Sequence, residues 1–286
     1  MQIFRKAKLI QQKMMQLRRQ GKTIGLVPTM GALHEGHLSL IKKARRENKI
    51  VVASIFVNPA QFGPREDYQR YPRPLGGDKK LLQKAGCDFL FLPSTEEIYP
   101  QPYLTFVNVE KLSDRLCGAF RPGHFRGVAT VVAKLFNLIQ PQRAYFGRKD
   151  YQQLKIIEQL NKDLNFPIKI VPCPILREKD GLAKSSRNAY LSREERRQAA
   201  SLFQALQTVK KMITSENIHS SQKIISELRK IIENNSLARI QYIKAVDPVS
   251  LEDIPIVKNQ ALLALSVWFG KTRLIDNIVV DLKSKR

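Results

Sequence analysis

The sequence predicts an α/β protein: a doubly wound parallel sheet over residues 1–177, followed by a smaller α+β domain over residues 178–286. Three observations carry this. Apolar runs such as IVVASIF at 50–56 are unbroken by polar residues, as expected of parallel strands covered by helices on both faces. Through the first two thirds of the chain such runs alternate with amphipathic segments of helical period. Beyond the polar stretch REKDGLAKSSRN at 177–188 the alternation stops, and two helical stretches are followed by three β-rich segments.

Taken in order, Ile3, Ala7, Ile10, Met14 and Leu17 share one helical face with basic residues opposite, which predicts a helix over about 3–20 that Gly21 ends. Ile24 to Val27 reads as a strand, Pro28 and Gly31 mark a turn, and Leu38, Leu40 and Ile41 open a helix. After the strand at 50–56 come a helix from Asp78 to Gly86, the strand DFLFL at 88–92 and a helix around 127–139. The strand AYF at 144–146, a helix from about 150 and the strand IKIVP at 168–172 complete a Rossmann-like domain. In such sheets ligands bind beyond the carboxyl ends of the strands. PTMG follows the first strand, FVNPAQF the second and GRKDYQQ the AYF strand, so three polar strings converge on one sheet edge. In the smaller domain Ser192-x-x-Glu195 is a capping box. IISELRKII at 224–232 is helical, and β segments fall at about 239–247, 261–268 and 273–280.

Composition narrows the function. With 43% hydrophobic residues the chain can bury a core in each domain and is not a disordered segment. Nowhere does an uninterrupted apolar stretch approach the roughly 18 residues of a membrane span, and the first twenty residues scatter charge where a leader would be apolar. A cytoplasmic protein is expected. Cys87, Cys117 and Cys173 are odd in number and far apart, which suits a reducing compartment and offers no metal framework. The net charge of +24 raises nucleic-acid binding as an alternative. Yet the early basic residues lie on the solvated face of a helix, and no basic strand is studded with aromatic residues, so attraction for small anionic substrates is favoured.

The chemistry concentrates in LVPTMGALHEGHLSL at 26–40. A helix start following a strand and a tight turn presents unpaired N–H groups and partial positive charge, which suits a polyphosphate. Two of the four histidines, His34 and His37, fall there three residues apart, able to donate to oxygens on which negative charge grows. Gly36 keeps the intervening backbone bare. A metal would find only two ligands in this pair, with no cysteine close in sequence to complete a zinc site.

The H-x-G-H at 34–37 is similar to the HIGH signature of nucleotidylyltransferases. The longer string PTMGALHEGH, with SIFVNPAQF after it, resembles the pantoate–β-alanine ligase family. YPR at 71–73, RPGHFRGV at 121–128, FGRKDYQQL at 146–154, KDGLAKSSRNAYL at 179–191 and TRLIDN at 272–277 extend the resemblance over essentially the whole chain. It implies an ATP-dependent condensation of pantoate with β-alanine to pantothenate, a coenzyme A precursor. An enzyme-bound pantoyl adenylate would be the intermediate, and AMP and pyrophosphate the by-products. By matching position, ATP would meet Met30, Gly31, Ala32, Leu33, His34, Glu35, Gly36 and His37. It would also meet Gly147, Arg148, Lys149, Asp150, Leu176, Lys184, Ser185, Ser186 and Arg187. His34, His37, Lys149 and Arg187 would be the catalytic groups, and Asp150 a candidate for the ribose hydroxyls or magnesium. Gln61, Gln153 and Asn58 would hold pantoate, with Phe146, Val131 and Val132 facing its methyl groups. Mg2+ would be bound mainly by ATP, with Asp78 as a weaker ligand. The resemblance further implies a homodimer joined through the N-terminal domain, a C-terminal domain covering the active site, and neither nucleic acid nor membrane as a partner.

The chemistry of the residues agrees. A carboxylate attacking a phosphate is anion meeting anion, so rate must come from positioning and from N–H and cationic groups, which these strings supply. The chain departs from the family pattern at Arg148, where an acidic or amide residue is usual, and at Pro74, where Thr is common. Gly77 stands where an acidic residue is common, which weakens the case for a second magnesium ligand beside Asp78. Lys184 replaces a Leu or Met. Its ammonium either meets solvent or reaches the phosphates, and solvent is favoured because Lys149 and Arg187 already supply charge.

Overall fold

Gln2–Phe4, expected as the beginning of a helix, is instead a strand (β1) in the computed structural model, which describes residues 1–64 and 66–282. It pairs in parallel with Phe89–Phe91 (β4), taking the main-chain bonds Gln2 N to Asp88 O and Leu92 N to Phe4 O. Those bonds and the burial of Phe4 outweigh the helical period, and Ile3, the residue that began that period, is exposed. The first helix, Ala7–Arg19 (α1), starts later and buries Ile10, Met14 and Leu17 as the periodicity requires.

Ile24–Thr29 (β2), Ile50–Ile55 (β3), Arg143–Gly147 (β5) and Lys169–Cys173 (β6) complete a six-stranded, all-parallel sheet in the order β1-β4-β3-β2-β5-β6. The helices are Glu35–Glu47 (α2), Leu75–Lys84 (α3), the short Thr95–Ile98 (α4), His124–Ile139 (α5) and Tyr151–Asp163 (α6). The order reverses at β2: the chain runs outward through β3 and β4, then returns to lay β5 on the other side. This is the topological switch point of a doubly wound sheet. The pairing there is short. β2 and β3 stay in register from Ile24↔Ile50 to Thr29↔Ile55, but β2 and β5 pair only at Gly25↔Arg143 and Leu26↔Ala144. The two strands therefore part before their carboxyl ends, opening a crevice where the polar strings emerge.

The chain divides into two compact units. The first holds the parallel sheet. The second runs from Ile175 onward and takes in two short pieces from earlier in the chain, Arg115–Cys117 and Lys149–Gln152. Its helices are Arg193–Ala199 (α7), Ser201–Ser215 (α8) and Ser221–Glu233 (α9), and its strands Ala238–Val246 (β7), Gln260–Phe269 (β8) and Thr272–Asp281 (β9) form an antiparallel sheet. The Ser192–Glu195 capping box is present at the start of α7. Leu202, Leu206, Val209, Ile224 and Leu228 pack with Leu263, Leu265 and Val267 of β8 in one core. The architecture is the Rossmann-like domain with a small α+β companion that the sequence predicts. All three cysteines are free and buried. Among the described residues no helix is long and apolar enough to cross a membrane.

Candidate active site

After β2 the chain must turn sharply into α2. Thr29 Oγ1 donates to the Ser54 carbonyl at 2.7 Å and accepts from Gly31 N at 3.2 Å. Gly31 has φ +83° and Ala32 φ +50°. Both residues lie at positive φ, and the second is strained because it carries a Cβ. Asp78 of α3, only 2% exposed, holds this turn: Oδ2 accepts from Ala32 N at 2.9 Å and Oδ1 from Leu33 N at 2.8 Å. Both carboxylate oxygens are thus engaged by the loop's own backbone. Asp78, expected as a weaker magnesium ligand, here positions the loop, as a charged and buried acceptor engaged by two amides does.

The helix start is built from the histidines themselves. His34 is the N-cap of α2, and its Nδ1 accepts from Gly36 N at 3.1 Å. His37 reaches back so that its Nδ1 accepts from His34 N at 3.3 Å. A ring nitrogen that accepts from an amide carries no proton, so in each neutral ring the proton is on Nε2. The rings lie with centroids 4.1 Å apart, tilted by 47°. Gly36 lies under the His34 ring, where a Cβ would come within 2.7 Å of Cε1. Glu35 is exposed in the first turn, where its charge complements the helix dipole.

A second group gathers after β3. Gln61 is buried, its Nε2 2.9 Å from Met30 Sδ and its Oε1 accepting from Asn58 Nδ2 at 3.2 Å. Asn58, expected to touch substrate, is 1% exposed and committed elsewhere. Its Nδ2 also donates to Gly127 O at 3.0 Å, and its Oδ1 accepts from Tyr99 Oη at 2.7 Å and Ala60 N at 3.2 Å. Burial pushes the Tyr99 phenol up, keeping it a donor. Asn58 therefore orients Gln61 and ties it to α5. Gly127 permits this, since a Cβ there would collide with the Ala60 carbonyl at 2.2 Å. The Gln61 carbonyl accepts from His124 Nδ1 at 2.7 Å and from Arg121 at 3.3 Å. Arg121 also donates to His124 Nε2 at 2.9 Å, which fixes the proton of that ring on Nδ1. Val131 and Val132 of α5 and Phe146 of β5 are buried, and Gln153 in α6 is partly buried. A cavity of about 250 Å³ opens beyond β2, β3 and β4, lined by Met30, Gly31, Phe56, Tyr68, Asp78 and Ser94 among others.

At the end of β5, Gly147 leaves open space where a side chain would stand. Arg148, Lys149 and Asp150 form a 3-10 turn, with Lys149 Nζ 3.5 Å from Asp150 Oδ1. In the second unit, Ser185 caps a 3-10 turn over Ser186–Tyr190 by accepting from Arg187 N at 3.3 Å. Leu176 is exposed, but its carbonyl accepts from Lys184 N at 2.9 Å. The Lys184 ammonium, expected in solvent, is instead paired with Glu178 at 3.3 Å. In a basic neighbourhood the nearest carboxylate takes it. Asp78, Asn58, Arg121, His124 and Tyr99 all support the site in roles that sequence reasoning missed. The strings RPGHFRGV and FVNPAQF contained three of the five, but nothing in them showed which groups their side chains would meet.

A helix start capped by two histidines, at the switch point of a doubly wound sheet, defines an α/β enzyme whose chemistry lies beyond its strand ends. The family model described as pantoate-beta-alanine ligase matches residues 2–279. A pantothenate synthetase of Caldicellulosiruptor bescii is 53% identical over 271 residues, covering 93% of this chain and 94% of that protein. One from Thermodesulfovibrio yellowstonii is 49% identical, covering 98% of this chain and all of the other. Among solved structures, the pantothenate synthetase of Thermus thermophilus superposes with a TM-score of 0.91 at 46% identity, covering 97% of this chain and 99% of that one. The Francisella tularensis enzyme, complexed with beta-gamma ATP and beta-alanine, gives 0.80 at 37%, covering 97% of each chain. The chain belongs to the pantoate–β-alanine ligase family. It is an enzyme, a ligase that joins pantoate to β-alanine.

Proposed function

We propose that the chain makes pantothenate in two steps. The pantoate carboxylate attacks the α-phosphate of ATP, forming an enzyme-bound pantoyl adenylate and releasing pyrophosphate. The β-alanine amine then attacks the acyl carbon, the acyl–phosphate oxygen bond breaks, and AMP leaves with the electron pair. The observation that carries this reading is the pair of histidines whose Nδ1 atoms cap α2, so that each ring bears its proton on Nε2. Two donors fixed by the fold, at a helix start, suit a phosphate on which charge builds. The Francisella tularensis relative solved with beta-gamma ATP and beta-alanine supports ATP and β-alanine as ligands here.

Lys149 and Arg187 add positive charge for the departing pyrophosphate, and Gln61 and Gln153 hold pantoate. A neutral amide suits a nucleophile that an ion pair would deactivate. Phe146, Val131 and Val132 face the pantoate methyls, and Asp150 takes the ribose. Magnesium belongs with ATP: among the described residues no cluster of three His, Cys, Asp or Glu side chains could hold a metal, and Asp78 is committed to the loop. An ion that keeps its waters and binds through substrate phosphates needs no such cluster. Family resemblance carries the further reading of a cytoplasmic homodimer. The test is to supply ATP, pantoate and β-alanine and assay AMP and pyrophosphate, then omit β-alanine and look for a bound acyl adenylate. ADP as product, or a covalent acyl-enzyme, overturns the mechanism.

A further inference from the structure

Strand β9 carries two adjacent buried polar residues, Asp276 and Asn277, in the otherwise apolar run LIDNIVV, 2% and 6% exposed. Buried polar groups in a strand cost stability unless they are satisfied, and apolar residues would be cheaper there. Neighbouring residues of a strand point to opposite faces, so the two side chains leave β9 in different directions. Each reaches a different loop. Asn277 Nδ2 donates to the Lys149 carbonyl at 2.8 Å. Asp276 takes the Arg177 guanidinium through both oxygens, at 2.6 and 2.9 Å. Arg177 in turn donates to Gly181 O at 2.9 Å and bridges Ala183 in antiparallel fashion, closing the base of the loop that leads to Ser185, Ser186 and Arg187. The pair is tied together, because Asp276 Oδ1 also accepts from Asn277 N at 2.8 Å. β9 is itself held along its length by β8, with Asp276↔Leu265 and Asn277↔Ala264 in register.

We propose that Asp276 and Asn277 are positioning residues for nucleotide activation, fixing the Lys149 turn and the 181–187 loop to one rigid strand. The inference rests on the reading of Lys149 given above. A cation aids a phosphate only where its geometry is maintained, and a backbone carbonyl clamped to a sheet restricts where its side chain can reach.

The experiment is a double-mutant cycle of Asn277→Ala with Lys149→Ala, read by single-turnover adenylation of pantoate. Asn277→Ala should slow adenylation about tenfold, equivalent to about 1.4 kcal/mol, with the pantoate KM unchanged. Amide formation from supplied pantoyl adenylate should stay within about twofold of wild type. In the Lys149→Ala background the same change should add nothing. Amide hydrogen exchange over 149–151 should quicken while β7 and β8 stay protected, and Asn277→Ser serves for this measurement if the alanine variant does not fold. Additive losses, or equal slowing of both half-reactions, would overturn the inference in favour of a merely structural role. A slow Lys149→Ala with a normal Asn277→Ala defeats the inference alone. A normal Lys149→Ala defeats the reading of Lys149 as well.

Discussion

Gly36→Ala should separate activity from stability. An added Cβ would stand 2.7 Å from His34 Cε1 and 2.8 Å from its Nδ1, where carbon atoms settle at about 3.5–4.0 Å. The ring must withdraw by about an ångström, giving up its bond to Gly36 N. Two stability effects oppose each other: alanine for glycine in a helix gains about 0.5–1 kcal/mol, and loss of an N-cap acceptor costs about 1 kcal/mol. Gly36 has no left-handed φ to add strain. The net change should stay within about 1 kcal/mol, or about 2–4 °C in Tm. A misplaced catalytic donor is far more expensive: a displacement of about 1 Å can cost about 10²-fold in rate. Rapid-quench single-turnover kinetics with ATP and pantoate should show a loss of that order beside a nearly unchanged melting curve. A full-rate first step would refute the role given to His34, as would a rate loss matched by unfolding.

Asp78→Asn turns an amide NH2 against either Ala32 N or Leu33 N, and the buried mismatch should cost about 1–3 kcal/mol and slow adenylation. Excess magnesium should not repair it, and repair would identify Asp78 as a metal ligand after all. Gln61→Ala should chiefly raise the pantoate KM, and an unaltered KM at full activity would remove Gln61 from the pocket. Lys184→Met should leave adenylation within about threefold of wild type, since a lost phosphate contact would cost tenfold, about 1.4 kcal/mol. Burial opposes the charge on Glu66, yet the Arg121 guanidinium holds its carboxyl below the usual value of 4.5. Its contribution is therefore present above pH 4.5 and is lost as pH falls through the lower folded-state value. Melting curves of wild type and Glu66→Gln should converge as the pH drops below that point, and a gap independent of pH would contradict the pairing.

The alternation of strands and helices was legible because both periods are local. β1 was not, since what makes three residues a strand is a ladder to β4, far along the chain. The histidine string announced a helix start, but the reciprocal use of both Nδ1 atoms as caps needed coordinates. Acids and amides in a motif suggest ligands, which is why the partners that Asp78 and Asn58 take here, among them backbone groups of Ala32 and Gly127 remote in sequence, were not legible. Lys184 was misread because counting nearby cations omitted Glu178, the acid six residues back. The short pieces 115–117 and 149–152 join the second unit through hydrogen bonds such as Arg115 to Glu252 at 2.6 Å and Asn277 Nδ2 to the Lys149 carbonyl at 2.8 Å, which no contiguous pattern reveals.

The early parting of β2 from β5 has a consequence for how this enzyme tolerates change. Past Leu26 and Ala144 the two strands no longer pair with each other, and on the β2 side Pro28 has no N–H with which to continue the ladder. Each strand is still fixed on its far side, β2 by β3 and β5 by β6. Substitutions other than to proline leave the peptide groups of these walls in place, since only proline removes an N–H. Drift in sequence can remodel the contour of this cleft while its main-chain polarity persists. A resistant variant selected against a compound that grips those edges would have to move a strand or place a proline in it to escape.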